Sequence, residues 1–281
     1  MEQSIIRDSR AKCLGLLALL VLLSAGCGEK QDTPEEIPEI MRSSATVLKN
    51  QHIDSKVLGM SIQYSIWLPP TYSDEKRYPI LYLLHGYEFA NAQDAHNGWF
   101  NNANLNHYAT QFVRDGGPLF IIVTPNGQNA FYRNGFVAGM DYDSFFEDEF
   151  IPFIEEKYNG NGKRAVAGLS MGGYGSLYHG MAYPGRFTYI YACSPATSAG
   201  YVYPDLSQIV AASDPATLPP ITIETGIDDS TVSLSSVQSF CRTLDERKVG
   251  YDFISRSGGH DWTFWTICLP KILKAVGNSF K

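Results

Sequence analysis

The sequence predicts an α/β fold, a mostly parallel central sheet with helices on both faces. Three observations carry that expectation. Continuous apolar runs at Tyr78–Leu84 and Pro118–Val123 are what strands buried on both faces of a parallel sheet require. Segments of helical character separate and follow these runs, so strands and helices alternate along the chain. The short apolar run Ala165-Val166-Ala167 leads into Gly168-Leu169-Ser170-Met171-Gly172-Gly173, a serine set between glycines where a strand must turn sharply into a helix.

The first residues stand apart from the fold. Arg7, Arg10 and Lys12 precede an apolar run from Leu14 to Leu23, followed by Ser24-Ala25-Gly26-Cys27. A charged segment, a short apolar segment and a small-residue cleavage site make residues 1–26 an export signal. The apolar run is half the length of about 20 residues that a membrane-spanning helix needs. A cysteine directly after Ala-Gly resembles a bacterial lipoprotein signal, with Ser24 departing from the commoner leucine; an ordinary secretory signal is the alternative. The resemblance implies that Cys27 carries lipid and that the protein is exported, anchored to a membrane through that lipid alone, in the periplasm or at the cell surface. Residues 27–45, rich in Glu, Pro, Gln and Asp, read as a flexible tether. Residues 46–281 are expected to form one domain, a common size for a single α/β unit.

Within that domain the elements follow in order. Met60–Leu68 alternates as a strand and stops at Pro69-Pro70. The buried strand Tyr78–Leu84 comes next, then a helical stretch around Asn101 to Arg114, then the strand Pro118–Val123. Asp141 to Tyr158 reads as an amphipathic helix broken near Pro152, with Phe145, Phe146, Phe150, Ile151 and Phe153 on its apolar side. Asp143, Glu147, Asp148 and Glu149 are expected to face water; they lack the glycine turn and spacing of a calcium loop. After the serine, Tyr174 to Tyr183 is helical, Phe187–Cys193, Ile221–Glu224 and Asp252–Ile254 are strands, and helices follow at Thr231–Lys248 and Trp262–Val276. Residues 195–220 are the least regular and read as an insertion over the site.

Composition narrows the function. The chain is 44% apolar and 18% charged with a formal net charge of −7 and no basic stripe, which argues against nucleic acid as a partner. Cys193, Cys241 and Cys268 form no C-x-x-C or zinc pattern, and spacing does not select a disulfide pair among them. His52, His96, His107 and His179 lack metal-ligand spacing, so neither a metal nor a cofactor is expected.

The chemistry centres on Ser170. Large side chains two residues either side of such a serine would clash as strand and helix close up, which explains the glycines. The helix that follows aims free N–H groups at a reacting carbonyl. A serine hydrolase also needs an acid after a later strand and a histidine near the C-terminus. Ile221-Thr222-Ile223-Glu224-Thr225-Gly226 ends in Ile227-Asp228-Asp229-Ser230, where Asp228 and Asp229 compete for the acid and either could instead cap the next helix. Ser257-Gly258-Gly259-His260-Asp261-Trp262 supplies the histidine, giving the order Ser…Asp…His of α/β-hydrolases. In Leu83-Leu84-His85-Gly86-Tyr87 the Tyr87 N–H is placed to join that of Met171 as an oxyanion donor, with His85 shaping the loop.

Leu81-Tyr82-Leu83-Leu84-His85-Gly86, Val123-Thr124-Pro125-Asn126-Gly127, Ala167-Gly168-Leu169-Ser170-Met171-Gly172-Gly173 and Gly259-His260-Asp261-Trp262 together resemble the esterase D-like family of α/β-hydrolases, over roughly Lys49 to the C-terminus. That family includes feruloyl and acetyl-xylan esterases of carbohydrate esterase family one, S-formylglutathione hydrolases, siderophore esterases and mycolyltransferases. The resemblance implies the α/β-hydrolase fold and a Ser170–His260–Asp229 triad, since the family's Gly-x-x-Asp matches Gly226-Ile227-Asp228-Asp229. It also implies an ester substrate; export points to acetyl or feruloyl groups on polysaccharides or oligosaccharides. Asn97-Gly98-Trp99 looks like a Trp-bearing segment of several members, and Trp99, Tyr132 and Trp262 are expected to contact substrate, with core packing as the alternative for each. The rival functions are an acyltransferase on the same scaffold and a non-catalytic glycan-binding lipoprotein.

Overall fold

The computed structural model describes residues 38–197 and 205–281. The expected export signal, Cys27 and the tether through residue 37 lie outside the described residues. The end of the expected tether departs from the irregular chain anticipated: Glu39–Arg42 forms one helical turn. Ile40 packs against the domain's core, and the Arg114 guanidinium donates to the Ser43 carbonyl at 3.3 Å, which fixes this stretch.

Eight strands form one sheet: β1 Thr46–Ser55, β2 Met60–Leu68, β3 Tyr78–Leu84, β4 Ile121–Pro125, β5 Gly160–Leu169, β6 Ile190–Cys193, β7 Ile221–Gly226 and β8 Asp252–Arg256. Their spatial order is β1-β2-β4-β3-β5-β6-β7-β8. The pairs β1/β2 and β2/β4 are antiparallel and every later pair is parallel. The mostly parallel sheet covered on both faces is the architecture predicted. β4 begins at Ile121 rather than Pro118, because Gly116 takes a positive φ of 89° and turns the chain before proline can enter a ladder.

The period-two alternation of the strands divides the core into two layers. Ile80, Tyr82 and Leu84 of β3 point to one face, with Tyr64, Phe146, Phe150 and Tyr174, while Leu81 and Leu83 point to the other, with Trp67, Trp99, Cys268 and Leu269. The first layer is covered by the helices Met171–Ala182 and Leu234–Glu246, the second by Leu105–Arg114 and Trp262–Ser279. Cys193, Cys241 and Cys268 are buried free thiols, with Cys241 in the opposite layer from the other two.

The expected helix at Asp141 to Tyr158 differs in an informative way. Tyr142–Ser144 runs through a π-helical turn, Phe145–Phe150, into Ile151–Lys157, so the break lies immediately before Pro152. A π turn inserts an extra residue per turn and rotates the faces. Asp143 and Glu147, expected in water, are nonetheless buried: four residues apart, they lie on the side of the helix that carries Phe146 and Phe150. Glu147 accepts from His179 Nδ1 and Arg186 Nε, each at 2.8 Å, and Asp143 accepts from the hydroxyls of Tyr178 and Tyr183, each at 2.9 Å. His179 Nε2 lies 2.8 Å from the Tyr132 carbonyl, so both ring nitrogens face acceptors and the imidazole is doubly protonated. Burial opposes that charge, but Glu147 and Asp143 outweigh it and raise the His179 pKa.

Candidate active site

Ser170 sits between β5 and the helix Met171–Ala182 with φ 53° and ψ −115°, a strained conformation for a residue with a side chain. The flanking glycines are demanded by contact distances. A Cβ on Gly168 would lie 2.4 Å from the Gly172 carbonyl oxygen. A Cβ on Gly172 would lie 2.5 Å from the Leu84 oxygen and 2.6 Å from that of His85. The elbow thus presses directly on the end of β3, with the Ser170 N–H donating to the Cys193 carbonyl of β6 at 2.9 Å.

The loop after β8 brings His260 to this point. Its Nε2 is 2.9 Å from Ser170 Oγ and its Nδ1 is 2.8 Å from Asp229 Oδ2. The two aspartates left open by spacing are separated by what they touch. Asp228 ties the histidine loop to the end of β7: its carboxylate accepts from the Gly258 N–H at 3.0 Å and its own N–H donates to the Gly258 carbonyl at 3.2 Å. The buried Asp229 faces the histidine with one oxygen and accepts the Thr231 and Val232 amides with the other, at 2.9 and 2.7 Å. Burial alone would raise its pKa; the hydrogen bonds from His260, Val232 and Thr231 outweigh burial and hold it below the usual value. Asp261 caps the final helix, accepting the Phe264 amide at 3.0 Å, which fixes where His260 leaves the loop.

On the other side of Ser170 lies the loop after β3. Its Gly86 backbone lies against the serine: a Cβ there would sit 3.4 Å from the Ser170 Cβ. His85 is buried there, and burial lowers its pKa to about 4, so the ring is neutral. Its Nδ1–H donates to the Gly86 carbonyl at 2.6 Å and its Nε2 accepts the Gly127 N–H at 2.7 Å, which shapes the loop as expected.

Two of the expected substrate contacts need correction. Trp99 and Tyr132 are fully buried and offer a ligand no surface. Trp99 donates its indole N–H to the Leu84 carbonyl at 3.1 Å, and Tyr132 packs against Gly127 and Gly175. Their polar ends found backbone partners inside the core, a common fate for buried Trp and Tyr. Trp262 keeps partial exposure, edge-on to Trp99 and Trp265 with centroids 5.5 and 5.3 Å away. Trp265, the next tryptophan in the sequence, is buried instead: it stands edge-on to His260 at 5.0 Å and donates to Ser194 Oγ at 3.3 Å, bracing the imidazole. The expected insertion at residues 195–220 lies partly outside the described residues; its described part includes the helix Leu206–Ala212.

The arrangement can do one thing well: pass a proton from the strained Ser170 hydroxyl to a histidine held by a buried aspartate. Comparison with known proteins points to ester hydrolysis. The family described as "Putative esterase" matches residues 55–276. A solved structure of a ferulic acid esterase superposes with a TM-score of 0.75 at 30% identity, covering 85% of this chain and 100% of that one. An acetyl esterase of Caldicellulosiruptor saccharolyticus is 25% identical over 243 residues, 74% of this chain and 84% of the relative. An S-formylglutathione hydrolase of Staphylococcus aureus shares the fold, with a TM-score of 0.67 at 18% identity over 84% of this chain and 98% of that one. The chain belongs to this esterase family, an α/β-hydrolase that hydrolyses carboxylic esters.

Proposed function

We propose that Ser170 is the nucleophile, His260 the general base and acid, and Asp229 the group that holds the imidazole tautomer. Ser170 Oγ attacks the ester carbonyl as its proton passes to His260 Nε2, and the Tyr87 and Met171 N–H groups stabilise the tetrahedral oxyanion. His260 returns the proton to the leaving alcohol, leaving an acyl-enzyme that water opens with His260 again acting as base. The observation that carries this reading is the unbroken line from Asp229 Oδ2 to His260 Nδ1, 2.8 Å, and from His260 Nε2 to Ser170 Oγ, 2.9 Å. Ser170→Ala should abolish p-nitrophenyl acetate turnover without changing the melting temperature; retained activity overturns the assignment.

The substrate reading is an acetyl or feruloyl ester of a polysaccharide or oligosaccharide. Support comes from the similarity to proteins called ferulic acid esterase and acetyl esterase, and from the export signal read in the sequence. The partly exposed Trp262, two residues beyond His260, is the aromatic residue proposed to touch that substrate. Parallel assays on acetylated xylan, methyl ferulate and short p-nitrophenyl esters discriminate among these. The same reading makes Cys27 the lipidated first residue of an exported lipoprotein; incorporation of a palmitate analogue that Cys27→Ser abolishes tests it.

A further inference from the structure

The loop from Gly127 to Arg133 is strained beyond anything its connecting role needs. Gln128, Asn129, Phe131 and Tyr132 all take positive φ, between 50° and 54°, and none is glycine. Such residues persist only where the surroundings over-determine them, and they gather where strain is put to use. The surroundings here do so: the Tyr142 hydroxyl donates to the Asn126 carbonyl at 2.8 Å, and the doubly protonated His179 donates to the Tyr132 carbonyl at 2.8 Å.

What the strained loop delivers is two side chains placed on backbone. The Tyr132 hydroxyl accepts the N–H of His85 at 2.9 Å and donates to the carbonyl of the same residue at 3.0 Å. Asn129 does likewise for Glu88, three residues beyond His85: its Oδ1 accepts the Glu88 N–H at 3.0 Å and its Nδ2 donates to the Glu88 carbonyl at 2.8 Å. The residues so clamped, His85 and Glu88, bracket the Gly86–Tyr87 peptide. The His85 ring already holds the Gly86 carbonyl, and in a planar trans peptide the Tyr87 N–H must then point the opposite way. The Tyr132 ring meanwhile rests on the helix that follows Ser170: a Cβ on Gly175 would lie 2.7 Å from it.

We propose that Tyr132 and Asn129 are positioning residues that set the direction of the Tyr87 amide and its distance from the Met171 amide. Neither touches substrate. Tyr132 is a strut between the helix bearing one donor and the loop bearing the other, and Asn129 anchors the far end of that loop. The inference rests on the proposed role of Ser170 and the two amides.

The test uses the full enzyme with Tyr132→Phe, which removes one oxygen, and Asn129→Gly, which removes both clamp bonds and tolerates the positive φ. Active sites are counted with a fluorophosphonate. Expected for each is a kcat on p-nitrophenyl acetate about 10- to 1000-fold lower, the upper end being what outright loss of a donor costs, with KM within a few-fold. Affinity for a boronic acid that forms a tetrahedral adduct should fall in step with kcat, while titratable sites per molecule stay at the wild-type value. Unchanged kcat in both variants overturns the proposal, as does a fall in kcat explained by fewer titratable sites or unaccompanied by weaker boronate binding. Asn129 is half-buried, so its variant carries the test should Tyr132→Phe not fold. Ser170→Ala separates the two levels of the reading: if it still hydrolyses ester, the nucleophile assignment fails, whatever the clamp variants do.

Discussion

The substitution Gly172→Ala puts the geometry of the elbow to a direct test. The added methyl would lie 2.5 Å from the Leu84 carbonyl oxygen and 2.6 Å from that of His85, about 0.9 Å inside ordinary van der Waals contact. Both obstacles are backbone, so no rotamer change relieves them. The helix after Ser170 and the loop after β3 must separate by most of that distance. Overpacking of this kind costs about 1–3 kcal/mol. At roughly 2–4 °C per kcal/mol for a domain of this size, melting should fall by about 2–12 °C. The larger effect falls on the chemistry, because the two surfaces forced apart carry the two proposed oxyanion donors. A displacement near 1 Å in a reacting geometry is worth on the order of 100-fold in kcat. The assay is p-nitrophenyl acetate hydrolysis normalised to fluorophosphonate-titrated sites, with melting followed by intrinsic fluorescence. Gly250→Ala is the control, since a Cβ there meets nothing within 4 Å, and it should match wild type in both readouts. A Gly172→Ala enzyme with wild-type kcat and melting temperature would refute the claim that close approach, rather than habit of sequence, requires glycine there.

The two aspartates should separate in the same assay. Asp229→Asn should lower kcat by about 10⁴-fold through the wrong imidazole tautomer, whereas Asp228→Asn keeps an acceptor for the Gly258 amide and should stay within about 10-fold of wild type. The buried network offers a pH experiment. Glu147 is held below its usual pKa because the His179 and Arg186 hydrogen bonds outweigh the opposing effect of burial. A depressed carboxylate stabilises the fold above its unfolded pKa and loses that contribution as pH falls through the folded value. Glu147→Gln should therefore melt well below wild type at pH 6, by an amount reflecting about 3–5 kcal/mol for a broken buried pair, and the gap should narrow below about pH 4. The raised His179 pKa has the opposite sign: its contribution is complete below about pH 6.5 and is lost as pH rises through the folded value. His179→Gln should thus differ most from wild type in mild acid, and an alkaline maximum of the difference would contradict the assignment of charge.

The parallel half of the fold was legible because strands buried on both faces are written as unbroken apolar runs, and β3 shows this from Ile80 to Leu84. β1 was not, since an edge strand bearing Lys49, Asn50, Gln51 and Asp54 has little apolar pattern to display, and Asn50 interrupts its register. Ser170 and His260 could be named because the elbow and the glycine loop constrain backbone as well as side chains, whereas spacing left Asp228 and Asp229 open and only the family resemblance selected Asp229. Aromatic identity gave no such guidance: Trp99 and Tyr132 look like stacking platforms in sequence, yet burial decides their role and a sequence does not state burial. The water-facing reading of Asp143 and Glu147 failed because their partners, Tyr178, His179, Tyr183 and Arg186, lie more than thirty residues away, and nothing local announces that two acids will be satisfied inside. Asn129 was invisible for a further reason. It acts on main-chain atoms of another loop, so no pattern of side-chain types links the partners.

One feature of the loop after β3 bears on how such an enzyme can change its tastes. Tyr87 enters the proposed chemistry only through its amide, while the residue is 39% exposed and its ring lies 4.8 Å from that of Phe89, a residue 94% exposed. Because only main-chain atoms are proposed to act there, exchanging these two rings should leave the reactive apparatus unedited. A combinatorial library at just these two positions is accordingly where altered acyl selectivity should be sought, by laboratory selection as by natural drift.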